Sequence, residues 1–126
     1  MSASRKRILL VDDNADLRRA LQLALEHSGY AVRTAANGGE ALRMQDEDPA
    51  DVVVTDIFMP EFDGFETIDR LRAKHPSVAI IVMSGDARQA KGEYLPVAEL
   101  MGVHATLRKP VAVADLIRVL ESLPER

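Results

Sequence analysis

Three consecutive valines, Val52, Val53 and Val54, lie between Asp51 and Asp56. The run is β-branched, too short for a helix and too apolar for an exposed strand. That pattern belongs to a strand buried on both faces of a parallel sheet. The run ends on Asp56, so an acid sits near the carboxyl edge of a buried strand, where open α/β sheets carry their chemistry. Residues 57–64 then leave through Pro60 and the pair Asp63 and Gly64, which are turn residues. An acid at the mouth of an apolar strand is costly unless something binds it. A plainer role is open to it as well, that of capping a loop by accepting backbone N–H groups.

The same punctuation repeats along the chain. Residues 8–11 form a second short apolar run, ending in Asp12, Asp13 and Asn14. Asn14 and Asp16 offer N-cap chemistry for a helix whose inward face is Leu17, Ala20, Leu21, Ala24 and Leu25. Gly29 stops that helix, and Leu23 falls on its polar side, where an exposed leucine needs no explanation. Residues 30–35 read as a shorter strand and Asn37, Gly38 and Gly39 as a turn. A helix over 40–47 follows, with Ala41, Leu42 and Met44 inward. After the central strand comes a helix over 64–74 with Phe65, Ile68 and Leu71 on one face, broken by His75 and Pro76. Residues 78–83 are a fourth buried strand, ending at Ser84. The stretch 86–93 is polar and reads as a long loop, leading to a helix over 94–101 that Gly102 ends. Residues 104–107 are a fifth strand, followed by Arg108, Lys109 and Pro110. The last helix, 113–123, buries Val113, Leu116, Ile117 and Leu120.

Strands and helices thus alternate five times, which predicts an α/β fold with a doubly wound five-stranded parallel sheet and helices on both faces. Among the common orders for five strands, the flavodoxin-like 2-1-3-4-5 sets the first and third strands side by side at the switch point. The residues themselves do not choose that order. With 126 residues the expectation is one domain over 1–126, with no linker and no second unit.

Charge and composition narrow the function classes. The formal net charge is -4, which argues against nucleic acid, and Arg5, Lys6 and Arg7 are the only basic cluster. There is no cysteine, so disulfides and thiolate metal sites are excluded. No apolar run is long enough for a membrane span and no signal-peptide pattern precedes the first strand, so the expected location is the cytoplasm. His27, His75 and His104 lack metal-ligand spacing.

In the expected topology the polar residues at strand ends converge. Asp12 and Asp13 end the first strand, Asp56 the third and Ser84 the fourth, while Lys109 follows the fifth. Three clustered carboxylates repel one another, and a divalent cation relieves that repulsion. Oxygen ligands select a hard ion, and Mg²⁺ with several retained waters fits best. A carboxylate, Mg²⁺, a lysine charge and a hydroxyl are the parts needed to move a phosphoryl group. Asp56 would be the nucleophile forming an acyl phosphate, with Lys109 and Ser84 holding the phosphoryl oxygens.

Asp12-Asp13, the segment from Asp56 through Met59, Pro60 and Asp63 to Gly64, Ser84-Gly85 and Lys109-Pro110 together resemble the receiver domain of two-component response regulators. The resemblance covers nearly the whole chain. Each motif alone is weak; four in order at strand ends are specific. The resemblance implies a signalling phosphoacceptor rather than an enzyme on other substrates. Asp56 would be phosphorylated by a phosphohistidine donor, a sensor histidine kinase or a histidine phosphotransfer protein. It also implies Mg²⁺ held by Asp13, Asp56 and the backbone carbonyl of Phe58, with Asp12 acting through water. A chain ending after its last helix resembles a stand-alone receiver with no output domain.

Two positions depart from the family pattern. Thr106 stands where receivers often carry an aromatic on the fifth strand, and Val111 follows Pro110 where another aromatic is common. The readout is therefore expected in the loop after Ser84 and the helix over 94–101, rather than in an aromatic rotamer. Three rivals remain. A nucleotide binder would need a phosphate-cradling loop where Asp12, Asp13 and Asp16 lie. A serine hydrolase would need a G-x-S-x-G elbow around Ser84. A degenerate receiver would act as a phosphorylation-independent binding module; the presence of all five side chains of the site argues against that.

Overall fold

The computed structural model describes residues 6–57, 64–84 and 102–124. Within these, the apolar runs become five parallel strands: β1 (Arg7–Val11), β2 (Ala31–Ala35), β3 (Val52–Asp56), β4 (Ala79–Ser84) and β5 (Ala105–Arg108). Their order is β2-β1-β3-β4-β5, as expected. The helices described are α1 (Ala15–His27), α2 (Gly38–Glu47), α3 (Gly64–Lys74) and α4 (Val113–Ser122). The helix expected over 94–101, the loop over 86–93 and the turn carrying Phe58, Pro60 and Asp63 lie outside the described residues.

Alternation along each strand divides the interior into two cores. Leu9, Val11, Val53, Ile80 and Val82 pack with Ile68 and Leu71 of α3 and Ala41 of α2. Ile8, Leu10, Val54, Ile81 and Met83 face the other way and pack with Leu21 and Leu25 of α1 and Leu116 and Leu120 of α4. All five residues of β3 and all six of β4 are buried. β5, at the sheet edge, is only half-buried and ends exposed.

Element ends moved by a residue or two for identifiable reasons. Tyr30 is not in β2, because its amide donates to the Leu25 carbonyl while that of Gly29 donates to Glu26. With Gly29 at φ 101 this is a Schellman closure of α1. Val78 stays out of β4 because its N–H closes a turn onto His75. The fourth strand instead runs on to Ser84, which pairs with Arg108, and β5 is correspondingly one residue later than expected. α2 begins earlier, at Gly38. Asn37 is its N-cap, accepting the Glu40 N–H at 2.8 Å, and the Glu40 carboxylate accepts the Ala36 N–H at 2.7 Å. That reciprocal cap makes the two glycines the first turn of a helix rather than a free turn.

Some inward faces also differ from expectation. Leu21 and Leu25 are buried on α1, but Ala20 is exposed. It stands about 100° around the helix from Leu21, off the edge of the apolar stripe. Leu23 is 53% exposed, as its position predicts. On α2 Leu42 and Met44 are only half-buried, while Gln45 is 1% exposed. Entry to β5 passes through Gly102 at φ +84, with the Arg72 guanidinium packed over its Cα face and donating to its carbonyl at 3.0 Å. A Cβ there would meet the guanidinium carbon at 3.0 Å, a flexible side-chain end that can shift, so it is the positive φ that calls for glycine.

Gln45 is buried because it replaces a strand partner. Its side chain donates to the Ala50 carbonyl and accepts the Ala50 N–H, both at 2.9 Å, pinning the chain just before β3. Gln45→Leu fits the cavity's polarity poorly, since it orphans both Ala50 groups. We expect a loss of about 2–4 kcal/mol in denaturant unfolding. A loss below about 0.5 kcal/mol would show that these two bonds do not hold the entry to β3.

Candidate functional site at the carboxyl edge of the sheet

The parallel register brings the polar strand ends to one edge. Val11 pairs with Thr55, so Asp12 emerges beside Asp56, the last residue of β3. Asp56 pairs with Met83, which places Ser84 one step further along the neighbouring strand. Lys109 is anchored at the same level by its own N–H, which donates to the Ser84 carbonyl at 2.8 Å. Its peptide bond to Pro110 is cis.

Burial separates the three aspartates. Asp12 and Asp56 are 0% and 4% exposed, whereas Asp13 faces solvent. One oxygen of each carboxylate lies within 4.8 Å of the others. Lys109 Nζ bridges the two buried acids, at 2.8 Å from Asp12 Oδ2 and 3.1 Å from Asp56 Oδ2. Burial alone would lower the Lys109 pKa. The hydrogen bond to Asp12 and the charges of Asp56 and Asp12 outweigh it and hold the ammonium above its ordinary value. Lys109 is thus a fixed cation at neutral pH.

Every polar group of Asp12 has a partner. Its N–H donates to Ala35, its Oδ1 accepts the Asn14 N–H at 2.9 Å, and its Oδ2 takes the Lys109 ammonium. Its carbonyl accepts from Arg18 Nη1 at 2.7 Å. Asn14 in turn caps α1, accepting the Leu17 N–H at 3.0 Å. Asp16 is in the first turn, not the cap. Ser84 Oγ is the contrasting case: fully buried, it has no hydrogen-bond partner among the described residues. A buried orphan hydroxyl costs about 1–3 kcal/mol, and a ligand oxygen would relieve that cost.

Three carboxylates face one lysine, so negative charge is left over. The donor set is oxygen only, which suits a hard divalent cation such as Mg²⁺. Asp12, Asp13, Asp56 and Lys109 are brought together, and Ser84 stands at the same edge. The Phe58 carbonyl lies outside the described residues. Thr106 is half-buried on β5 opposite Val82, and Val111 packs against the core shared by α1 and α4. Sequence reasoning missed Arg18. Its signal was the position four residues after the Asn14 cap, which points a long side chain back at the strand end.

Among the described residues no helix is long and apolar enough to cross a membrane. The family described as the response regulator receiver domain matches residues 8–121. The chain is 37% identical over 120 residues to the transcriptional regulatory protein PrrA of Mycobacterium bovis, covering 95% of this chain and 50% of that protein. It therefore spans about half the length of that relative. The response regulator receiver protein CpdR of Brucella abortus is 36% identical over 118 residues, with 94% of this chain and 96% of that protein covered. The crystal structure of a response regulator receiver domain protein from Clostridium thermocellum superposes with a TM-score of 0.84 at 30% identity, covering 92% of this chain and 91% of that one. Together with the five-stranded order and the strand-end acids, these matches make the chain a member of the response regulator receiver domain family of two-component systems.

Proposed function

We propose that this domain is a phosphoacceptor in a two-component phosphorelay. Asp56 takes a phosphoryl group from a phosphohistidine on a sensor histidine kinase or histidine phosphotransfer protein. The observation that carries the reading is the buried Asp56 carboxylate, ion-paired to Lys109 and within 4.8 Å of two further carboxylates. An Asp56 oxygen attacks phosphorus, the P–O bond of an acyl phosphate forms, and the P–N bond to the donor imidazole breaks with its electron pair returning to the ring. Lys109 follows the charge onto a phosphoryl oxygen, and the orphaned Ser84 hydroxyl donates to another.

Asp13, Asp56 and the Phe58 carbonyl would hold Mg²⁺, with Asp12 acting through water, since its carboxylate is already taken by Lys109 and Asn14. When bound, the ion neutralises charge on the phosphoryl oxygens. The chain catalyses its own phosphotransfer and a slow self-dephosphorylation and acts on no other substrate. Its partners are proteins rather than nucleic acid or membrane, in a cytoplasmic setting, in keeping with the net charge of -4. Readout runs through residues 86–101, tethered to Ser84, because Thr106 is too small for the aromatic displacement used by other receivers.

Labelled phosphotransfer from candidate kinases, and beryllofluoride binding with Mg²⁺, test the reading. Both should occur in the wild type and be lost in Asp56→Asn. A wild type that accepts neither would be a phosphorylation-independent binding module.

Asp13→Asn should weaken Mg²⁺ binding and phosphorylation together, each by about tenfold or more. If both stay at wild-type levels, the cation is held elsewhere.

The raised Lys109 pKa sets the sign of an alkaline effect. Its contribution to stability is complete below the ordinary lysine value of 10.5 and is lost as pH rises through the higher folded value. The stability difference between wild type and Lys109→Met should therefore shrink on the alkaline side of that value. A difference that vanishes between neutrality and pH of about 9 would contradict the pairing.

A further inference from the structure

We infer that Arg18 is a positioning residue for the divalent-cation site, presetting the direction of the Asp13 carboxylate. The inference rests on the phosphoacceptor reading, because it concerns the cation that reading requires. Arg18 Nη1 donates to the Asp12 carbonyl at 2.7 Å, and that carbonyl belongs to the peptide joining Asp12 to Asp13. A planar peptide whose oxygen is held also has its N–H and the following Cα held. Among the described residues no hydrogen bond or ion pair holds the Asp13 carboxylate itself, and the side chain is exposed. The backbone fixes where this side chain starts, and hence which of its rotamers bring the carboxylate to within 4.8 Å of the Asp12 and Asp56 oxygens.

The rest of the turn is braced from the other side of that peptide. Asn14 N–H is tied to Asp12 Oδ1, and the Asn14 side chain and carbonyl are tied to Leu17 and Arg18 amides. Arg18 supplies the remaining hold, from the first full turn of α1 back across the strand end. It is half-buried, so its guanidinium is partly shielded from competing water.

Two effects of this arginine on a cation site have opposite signs. As a positive charge it repels Mg²⁺, so removing it would tighten binding. As a brace it keeps a ligand in place, so removing it would loosen binding. Residues that orient metal ligands change affinity by about 10–100-fold when lost, and we assign Arg18 to the brace.

The test is Mg²⁺ titration of the metal-free protein by calorimetry, with the Asp13 backbone amide followed by NMR. Arg18→Met, which keeps the stem and drops the donors, should bind Mg²⁺ about tenfold more weakly and shift the Asp13 amide before any metal is added. Arg18→Lys, which keeps one donor and the charge, should restore most of the affinity. Arg18→Ala repeats the comparison with the stem removed, should the methionine variant fold poorly. Equal or tighter binding in the truncated variants, or a lysine variant as weak as methionine, overturns the positioning role and leaves the phosphoacceptor reading standing. Absence of Mg²⁺ binding in the wild type overturns both.

Discussion

β3 is covered on both faces along its whole length, and that burial decides where polarity can go. A strand with both faces packed has no side on which to place a charge. Polar chemistry is pushed off its end, and the parallel register makes the ends of its neighbours coincide. Each fully buried Val, Leu or Ile contributes about 1.5–3 kcal/mol relative to exposure. Among the described residues the two cores hold twenty buried Val, Leu and Ile side chains between them. A scaffold of that kind can support a strained polar edge that would unravel a looser sheet.

The edge is strained in two ways. Its acids outnumber its lysine, and its serine hydroxyl has no partner among the described residues. Both departures from a fully satisfied interior point toward ligand groups, one toward a cation and the other toward an oxygen. The three aspartates are also not equivalent. Asp12 is consumed by internal bonds and acts as the keystone that joins β1, α1, β2 and Lys109. Asp13 is exposed, with its backbone held and its side chain open. Asp56 is buried at the end of the central strand, ion-paired to Lys109 at 3.1 Å, and it is the group proposed to react.

Two cores on opposite faces also separate the helices into pairs, α1 with α4 and α2 with α3. The site lies where the chain switches between them, after β1 on one side and after β3 on the other. The helix after β1 packs on one face of the sheet and the helix after β3 on the other, and Asp12, Asp56 and Lys109 meet at that switch point. Arg72 and Gly102 fasten the start of β5 to α3, so Lys109 arrives at the site from a strand gripped at its entry.

The apolar runs, their turn residues and the acids at their ends were sufficient to read the fold class and the strand count, whereas the convergence of Asp12, Asp13, Asp56, Ser84 and Lys109 followed only with the 2-1-3-4-5 order, which those residues do not choose. Such features are local: a valine run has one comfortable environment, and Asp, Gly and Pro mark where it stops. The tertiary structure alone decided which aspartate is braced and which is open, that Gln45 is inside and Ala20 outside, and that Arg18 closes over the first turn. Each of those depends on partners far along the chain or on the angle at which a helix meets the sheet. A residue's own chemistry does not encode them, because whether a polar group is buried depends on whether something else arrives to satisfy it.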